Sequence, residues 1–215
     1  LSRARSPEDK AKVREAFLAA GRKLFSEEDP AQVSLRRIAA EAGYAPAAIY
    51  KYFSDQQDLF FHIRAHDQQA ATDDLRRVLA TVKDPAKRVQ KLFIASSDYW
   101  LTHMDHFTVV CSPRLLGSPA PVPANGVPFG RSPYVQESNK LHYDTVDQLF
   151  STFERPPMSS RLATDMLMAS VYGTIAFSHM TRTMEWSDTR TMIKKLVETI
   201  LKQWIDSSAR TPKHE

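Results

Sequence analysis

Apolar residues recur at helical spacing along almost the whole chain, and no alternating run is long enough to argue for a strand. Val13, Phe17, Ala20, Leu24 and Phe25 share one face of a helix expected over about 7–26, behind the start signal Ser6-Pro7-Glu8-Asp9. After the polar break Glu27-Glu28-Asp29-Pro30, Leu35, Ile38 and Ala42 mark a short helix that Ser34 is placed to cap. Gly43 stands where such a helix ends in a left-handed residue, and Pro46 sits in the first turn of another with Ile49 and Phe53 on its buried side. Ala39, one turn before Gly43, leaves room for the second helix to cross close by. Small residue, glycine turn and flanking apolar positions together make a helix-turn-helix, the device whose second helix enters the DNA major groove.

Ser54-Asp55 opens a fourth helix with Leu59, Phe60 and Ile63 on one face. It is expected to continue through Leu75, Val78, Leu79 and Val82, with a middle (Gln68 to Asp74) polar enough to bend or loosen it. Asp84-Pro85 caps a fifth helix carrying Val89, Leu92, Phe93, Ser96 and Trp100. Residues 112–133 break the pattern: six prolines and three glycines exclude helix and leave a long loop, expected to act as a lid or entrance. Helix resumes near Val135 and carries Leu141, Val146, Leu149, Phe150 and Phe153 to Pro156-Pro157, followed by helices over about 159–184 and 188–206. In the last of these, Met192, Leu196, Ile200 and Trp204 form a stripe beside Ile193, Val197, Leu201 and Ile205. That is more apolar surface than one neighbour covers. With the small residues Ala169, Gly173 and Ala176 on the preceding helix, it points to a four-helix interface between two copies.

The fold expected is therefore all-α: a three-helix helix-turn-helix domain over 1–55, joined by a linking helix to a helical ligand-binding and dimerisation domain over 56–215. Composition alters this little. At 215 residues, 42% hydrophobic and 25% charged, the chain suits an ordinary globular protein. No run approaches the roughly 18 apolar residues of a membrane span. Without an apolar leader, and with Cys111 as its one cysteine, the chain is expected in the cytoplasm. Net charge is +4, and residues 1–55 hold 10 Lys and Arg against 8 Asp and Glu. So weak a bias favours a few placed phosphate contacts over a broad cationic coat.

Residues 8–64 resemble the DNA-binding domain of TetR-family transcriptional regulators. The matching stretches are Ala16-Phe17 to Phe25, Ser34-Leu35-Arg36-Arg37-Ile38-Ala39-Ala40-Glu41-Ala42-Gly43, and Ala48-Ile49-Tyr50-Lys51-Tyr52-Phe53, with Leu59 following. Three departures stand out. Ala45 replaces the usual Ser or Thr at the start of the recognition helix, Gln56-Gln57 replace Lys-Glu, and Ala47-Ala48 offer only methyl groups. Thymine methyls or indirect readout then carry more of the specificity. The resemblance implies that Tyr44, Ala45, Pro46 and Ala47 line the groove, while Tyr50, Lys51 and Tyr52 meet the backbone, one tyrosine lying half-buried. Ser34 and Arg36 would reach phosphates, and Arg3 and Arg5 would form a minor-groove arm.

Other chemistry is thin. His62 and His66, beside Asp67, and His103 and His106 are pairs without the further ligand a metal site needs, so a solvated helix face is the expectation and no metal or cofactor is expected. No phosphate loop, nucleophile elbow or paired-cysteine motif appears, and no enzymatic activity is expected. Cys111 reads as a small buried hydrophobe. Tyr99, Trp100, His103, Met104, Phe107, Tyr172, Phe177 and Met180 are bulky, adaptable residues with a few polar handles, the lining expected of a site for a hydrophobic or aromatic effector. With the resemblance, these features point to a homodimeric repressor that leaves a near-palindromic double-stranded DNA operator when a small apolar effector binds. The competing readings are an activator or partner-responsive regulator without a ligand, and a helical enzyme or carrier whose helix-turn-helix only packs.

Overall fold

A computed structural model describes residues 6–29, 32–111 and 127–209, and its described residues form nine α-helices with no strand. Helix α1 spans Pro7–Glu27 and opens with a complete capping box: Asp9 N–H donates to Ser6 Oγ at 3.1 Å and Ser6 N–H to Asp9 Oδ2 at 3.2 Å. Helices α2 (Leu35–Glu41) and α3 (Pro46–Ile49) follow. Helix α4 runs unbroken from Gln56 to Leu79. Asp58 N–H bonds to Asp55 Oδ1 at 2.8 Å and Ser54 N–H to Asp58 Oδ2 at 2.9 Å at its start. Helices α5 (Pro85–Thr102), α6 (Met104–Val110), α7 (Pro133–Phe150), α8 (Ser160–Met180) and α9 (Thr189–Ala209) complete the set.

The chain forms two compact units, residues 1–69 with 103–136, and residues 70–102 with 137–215. The first is built on Phe17, Leu18, Ile38, Ile49, Leu59 and Ile63, all fully buried, with Phe53 beside them. Gly21 permits this packing: a Cβ there meets Ile63 Cδ1 at 2.7 Å and Leu59 Cδ2 at 3.1 Å, so α1 approaches α4 closely. In the second unit α5, α8 and α9 pack closely on one another through Val89, Leu92, Phe93, Leu167, Val171, Ile175, Ile193 and Val197. The boundary between these two units falls within α4.

Several elements differ from the sequence reading. The polar middle of α4 is neither broken nor solvated, because Asp67, Gln68 and Thr72 are buried. His103 leaves helical geometry at φ −119°, ψ 61°, which separates α6 from α5. Helix α7 begins at Pro133, not Val135, since proline suits the first turn. It is preceded by a single 3₁₀ turn, Phe129–Arg131, whose Phe129 is buried; residues 112–126 of the lid expected over 112–133 lie outside the described residues. Helix α8 stops at Met180, earlier than expected, and α9 runs to Ala209. The apolar stripe of α9 is also split. Ile193, Val197, Leu201 and Trp204 are buried within the unit, and Met192, Leu196 and Ile200 are half-buried.

Candidate nucleic-acid interface

The geometry of the α2–α3 turn follows from a few residues. Ser34 caps α2, its Oγ accepting the Arg37 N–H at 3.3 Å. Gly43 adopts φ 76°, the left-handed conformation that residues with a Cβ avoid, and Tyr44 N–H then bonds back to Ala39 C=O at 2.8 Å. Ala39 is fully buried, as a close helix crossing requires. Pro46 opens α3, and Ala45 at its N-cap makes no side-chain capping bond. After Ile49 the backbone closes through Tyr52 N–H to Ile49 C=O (2.9 Å) and Phe53 N–H to Ile49 C=O (3.1 Å). The recognition segment is therefore one helical turn, exposed at Pro46 and Ala47 and anchored on its C-terminal side by buried Ile49 and Phe53.

Ion pairs brace this motif from α1. Lys23 Nζ meets Glu41 at 2.6 Å, and Arg37 grips Glu28 with two bonds of 2.6 and 2.7 Å. Each exposed pair contributes little to stability, but both tie α2 to the end of α1. Tyr44 and Tyr52 rest edge-on against Phe17, with ring centroids at 5.2 and 5.5 Å. Both are half-buried, which makes Tyr52 the packed tyrosine of the 50/52 pair; Tyr50 is 54% exposed. Ala45, Pro46, Ala47, Tyr50 and Lys51 are all exposed, and 46/50 and 47/51 fall at the i, i+4 spacing of one face. Ser34 and Arg36 are exposed at the start of α2. That face can present methyl groups, a phenol and one ammonium to a groove. Arg3 and Arg5 lie outside the described residues.

Behind the interface sits a charge cluster that the sequence reading missed. Asp67 is fully buried, and Arg22 donates to it from Nε (3.0 and 2.8 Å) and Nη2 (2.5 Å). His66 Nδ1 lies 3.3 Å and His106 Nδ1 3.5 Å from the same carboxylate; His66 is exposed, as a solvated helix face requires, whereas the His106 side chain is only 16% exposed. His62 lies 3.3 Å from Asp58. Burial pushes the Asp67 carboxyl up, but hydrogen bonds from His66 and Arg22 and the guanidinium charge outweigh it, leaving the group below its ordinary value. The bond to Asp67 raises His66. Burial lowers His106 against the pull of Asp67. No group of three His, Cys, Asp or Glu suited to a metal ion occurs among the described residues. Burial holds the Cys111 thiol at about 11, so it stays protonated despite nearby Arg64.

The expected effector residues divide between the two units. His103, Met104 and Phe107 belong to the first, with Phe107 buried. Tyr99, Trp100, Tyr172, Phe177 and Met180 belong to the second. There Trp100 is buried with Tyr99 edge-on at 5.2 Å, and Tyr172 shares a 2.9 Å hydroxyl bond with Ser96. Phe177 (54% exposed) and Met180 (67% exposed) face outward with Leu162 and Met166, so they do not line an enclosed site within one protomer. Their spacing along α8 places them on its outer stripe instead.

Comparison with known proteins accords with this geometry. Residues 17–63 match the family model described as bacterial regulatory proteins, tetR family. An HTH-type transcriptional regulator of Staphylococcus aureus (strain bovine RF122) is 28% identical over 153 residues, covering 69% of this chain and 72% of the relative. A TetR family transcription regulator from Marinobacter aquaeolei superposes with TM-score 0.69 at 17% identity, over 94% of this chain and 98% of that one. FadR from Bacillus subtilis, solved in complex with stearoyl-CoA, gives 0.68 at 14% identity, over 87% and 97%. No helix of the described residues is long and apolar enough to cross a membrane. The glycine-turned helix-turn-helix lies inside the matched segment, so residues 17–63 carry the DNA-binding domain described by the tetR family model.

Proposed function

We propose that the protein is a homodimeric repressor that binds a near-palindromic operator and is released by a small, mainly hydrophobic or aromatic effector. The observation that carries the DNA half is the exposed face of Pro46, Ala47, Tyr50 and Lys51, held on buried Ile49 and Phe53. Two copies must place their recognition segments about one helical turn, roughly 34 Å, apart, which a single protomer cannot do. The domain division at residue 55 follows the same logic, with 1–55 reading DNA and 56–215 dimerising and sensing.

The outer stripe of α8 supports the dimer. Leu162, Met166, Phe177 and Met180 are 51, 43, 54 and 67% exposed, and between them Ala169 and Gly173 are small enough for a second helix to approach. Leu196 and Ile200 of α9 are half-buried and extend the face. An interface there pairs α8 and α9 with their copies. Buried Trp100 and half-buried Tyr172 support an apolar effector, and FadR from Bacillus subtilis, solved with stearoyl-CoA, shares the fold. An effector shifts the equilibrium only by its differential affinity for two recognition-helix spacings, about 1–3 kcal/mol.

The test is a binding-site selection with the full chain, followed by operator titration and sedimentation. The reading requires a two-fold symmetric selected site bound by a dimer, and release of that site by an apolar ligand. A selected sequence without symmetry, or a monomer on DNA, overturns it.

A further inference from the structure

His142 on α7 is fully buried, and its Nδ1 lies 2.8 Å from the Ser138 carbonyl oxygen. A carbonyl can only accept, so the proton is on Nδ1 and Nε2 is a bare lone pair. Burial holds the imidazole below its ordinary value and therefore neutral. Nε2 has no hydrogen-bond partner. Four buried hydroxyls of this unit bond elsewhere: Ser97 to Ile94 C=O, Thr145 to Leu141 C=O, Thr164 to Ser160 C=O, and Ser96 with Tyr172. The imidazole ring stands 5.3 Å from Phe93 and 6.5 Å from Tyr172. The closely packed helices of the unit are α5, α8 and α9, and His142 of α7 meets α5 at Phe93 and α8 at Tyr172.

Structure alone gives no reason for this lone pair. Ser138 C=O stands four residues before His142 within α7, so it already accepts the backbone N–H of residue 142. A phenyl ring fills the same space without stranding an acceptor in the interior, which is unfavourable. A ligand hydroxyl or N–H satisfies Nε2, whereas a carboxylate presents lone pairs to a lone pair. We propose that His142 Nε2 is the polarity-reading group of the effector site, and that the effector is an uncharged apolar or aromatic molecule bearing one hydrogen-bond donor, seated against Phe93 and Tyr172. This rests on the effector reading above and narrows it to a ligand class.

Matched pairs that differ only in the donor test it: 1-naphthol against 1-methoxynaphthalene, and 4-nonylphenol against 4-nonylanisole. Binding to the full-length protein is followed by tryptophan fluorescence and by operator release. The phenols are expected to bind about tenfold more tightly than their ethers. His142→Phe should bring that ratio to about one without lowering the melting temperature, and His142→Gln, which keeps an acceptor, should retain part of it. Equal binding of phenol and ether to the wild type, or a preference that survives His142→Phe, overturns the role of His142 while leaving effector control standing. If neither member of either pair binds, this inference falls; if, in addition, no apolar ligand releases the operator, the effector reading falls with it.

Discussion

Replacing Asp67 with alanine strands Arg22 in the interior, since the carboxylate is fully buried and the arginine side chain is only 10% exposed. Breaking one side of a buried ion pair costs about 3–5 kcal/mol. A count from bonds agrees: two charge-assisted hydrogen bonds at about 1.5–3 kcal/mol each give roughly 3–6. At a urea slope near 3 kcal/mol/M, the unfolding midpoint should fall by about 1–1.7 M, measured at fixed protein concentration because assembly adds to stability. The double variant Arg22→Met, Asp67→Leu removes both charges and should recover most of the loss. A single variant that loses less than about 1 kcal/mol, or a double variant as weak as the single, refutes the assignment. Operator affinity should fall with stability, because the pair joins α1, which braces α2, to α4.

The same cluster fixes a pH signature. Because Asp67 titrates below its unfolded value, its contribution is complete above about pH 4 and is lost only as pH falls through its lower folded pKa. His66 is raised, so its contribution is complete below 6.5 and disappears as pH rises through its folded pKa. His106 is lowered chiefly by burial, so it withdraws stability as pH falls from 6.5 to its folded value. An NMR titration should therefore find His66 above 6.5 and His106 below it. In Asp67→Asn the His66 midpoint should drop, and an unchanged midpoint would show that Asp67 is not its partner.

Lys51→Ala should weaken binding to every DNA sequence alike and lower the salt slope by about one unit, read by fluorescence anisotropy over a salt series; loss on one operator only contradicts a phosphate role. Gly21→Ala should destabilise the first unit by about 1–2 kcal/mol in thermal melts, since its Cβ meets Ile63 and Leu59, both fully buried; an unchanged melt would mean that α1 and α4 can move apart freely. Met166→Glu and Leu196→Glu should each give monomers by sedimentation, with operator affinity reduced and helicity intact, because neither side chain is fully buried in the protomer; dimers that persist in both variants place the interface elsewhere.

Local rules made the DNA-reading motif legible because each signal acts within four residues. Ser34 caps its own helix, Gly43 carries the positive φ, and Pro46 opens α3, so sequence order and spatial order coincide. The half-buried side of the 50/52 pair was legible in kind but not in identity, because Tyr52 is set by Phe17, 35 positions away in the chain. The same limit explains the larger misses. Gln68 to Asp74 has the composition of a solvated segment, yet Arg22, 45 residues earlier, reaches Asp67 at its edge and makes burial tolerable. His66 and His106 share no local spacing, so nothing in either segment pairs them. On α8 and α9 periodicity identified apolar stripes without saying which protomer covers them. Ile193, Val197 and Trp204 turned inward, and Phe177 and Met180, read as pocket wall, turned outward. Helical spacing assigns residues to faces, and only the placement of other helices decides what each face meets. That is also why His142 escaped notice: its oddity is a missing partner, which a sequence cannot display until every neighbour is in place.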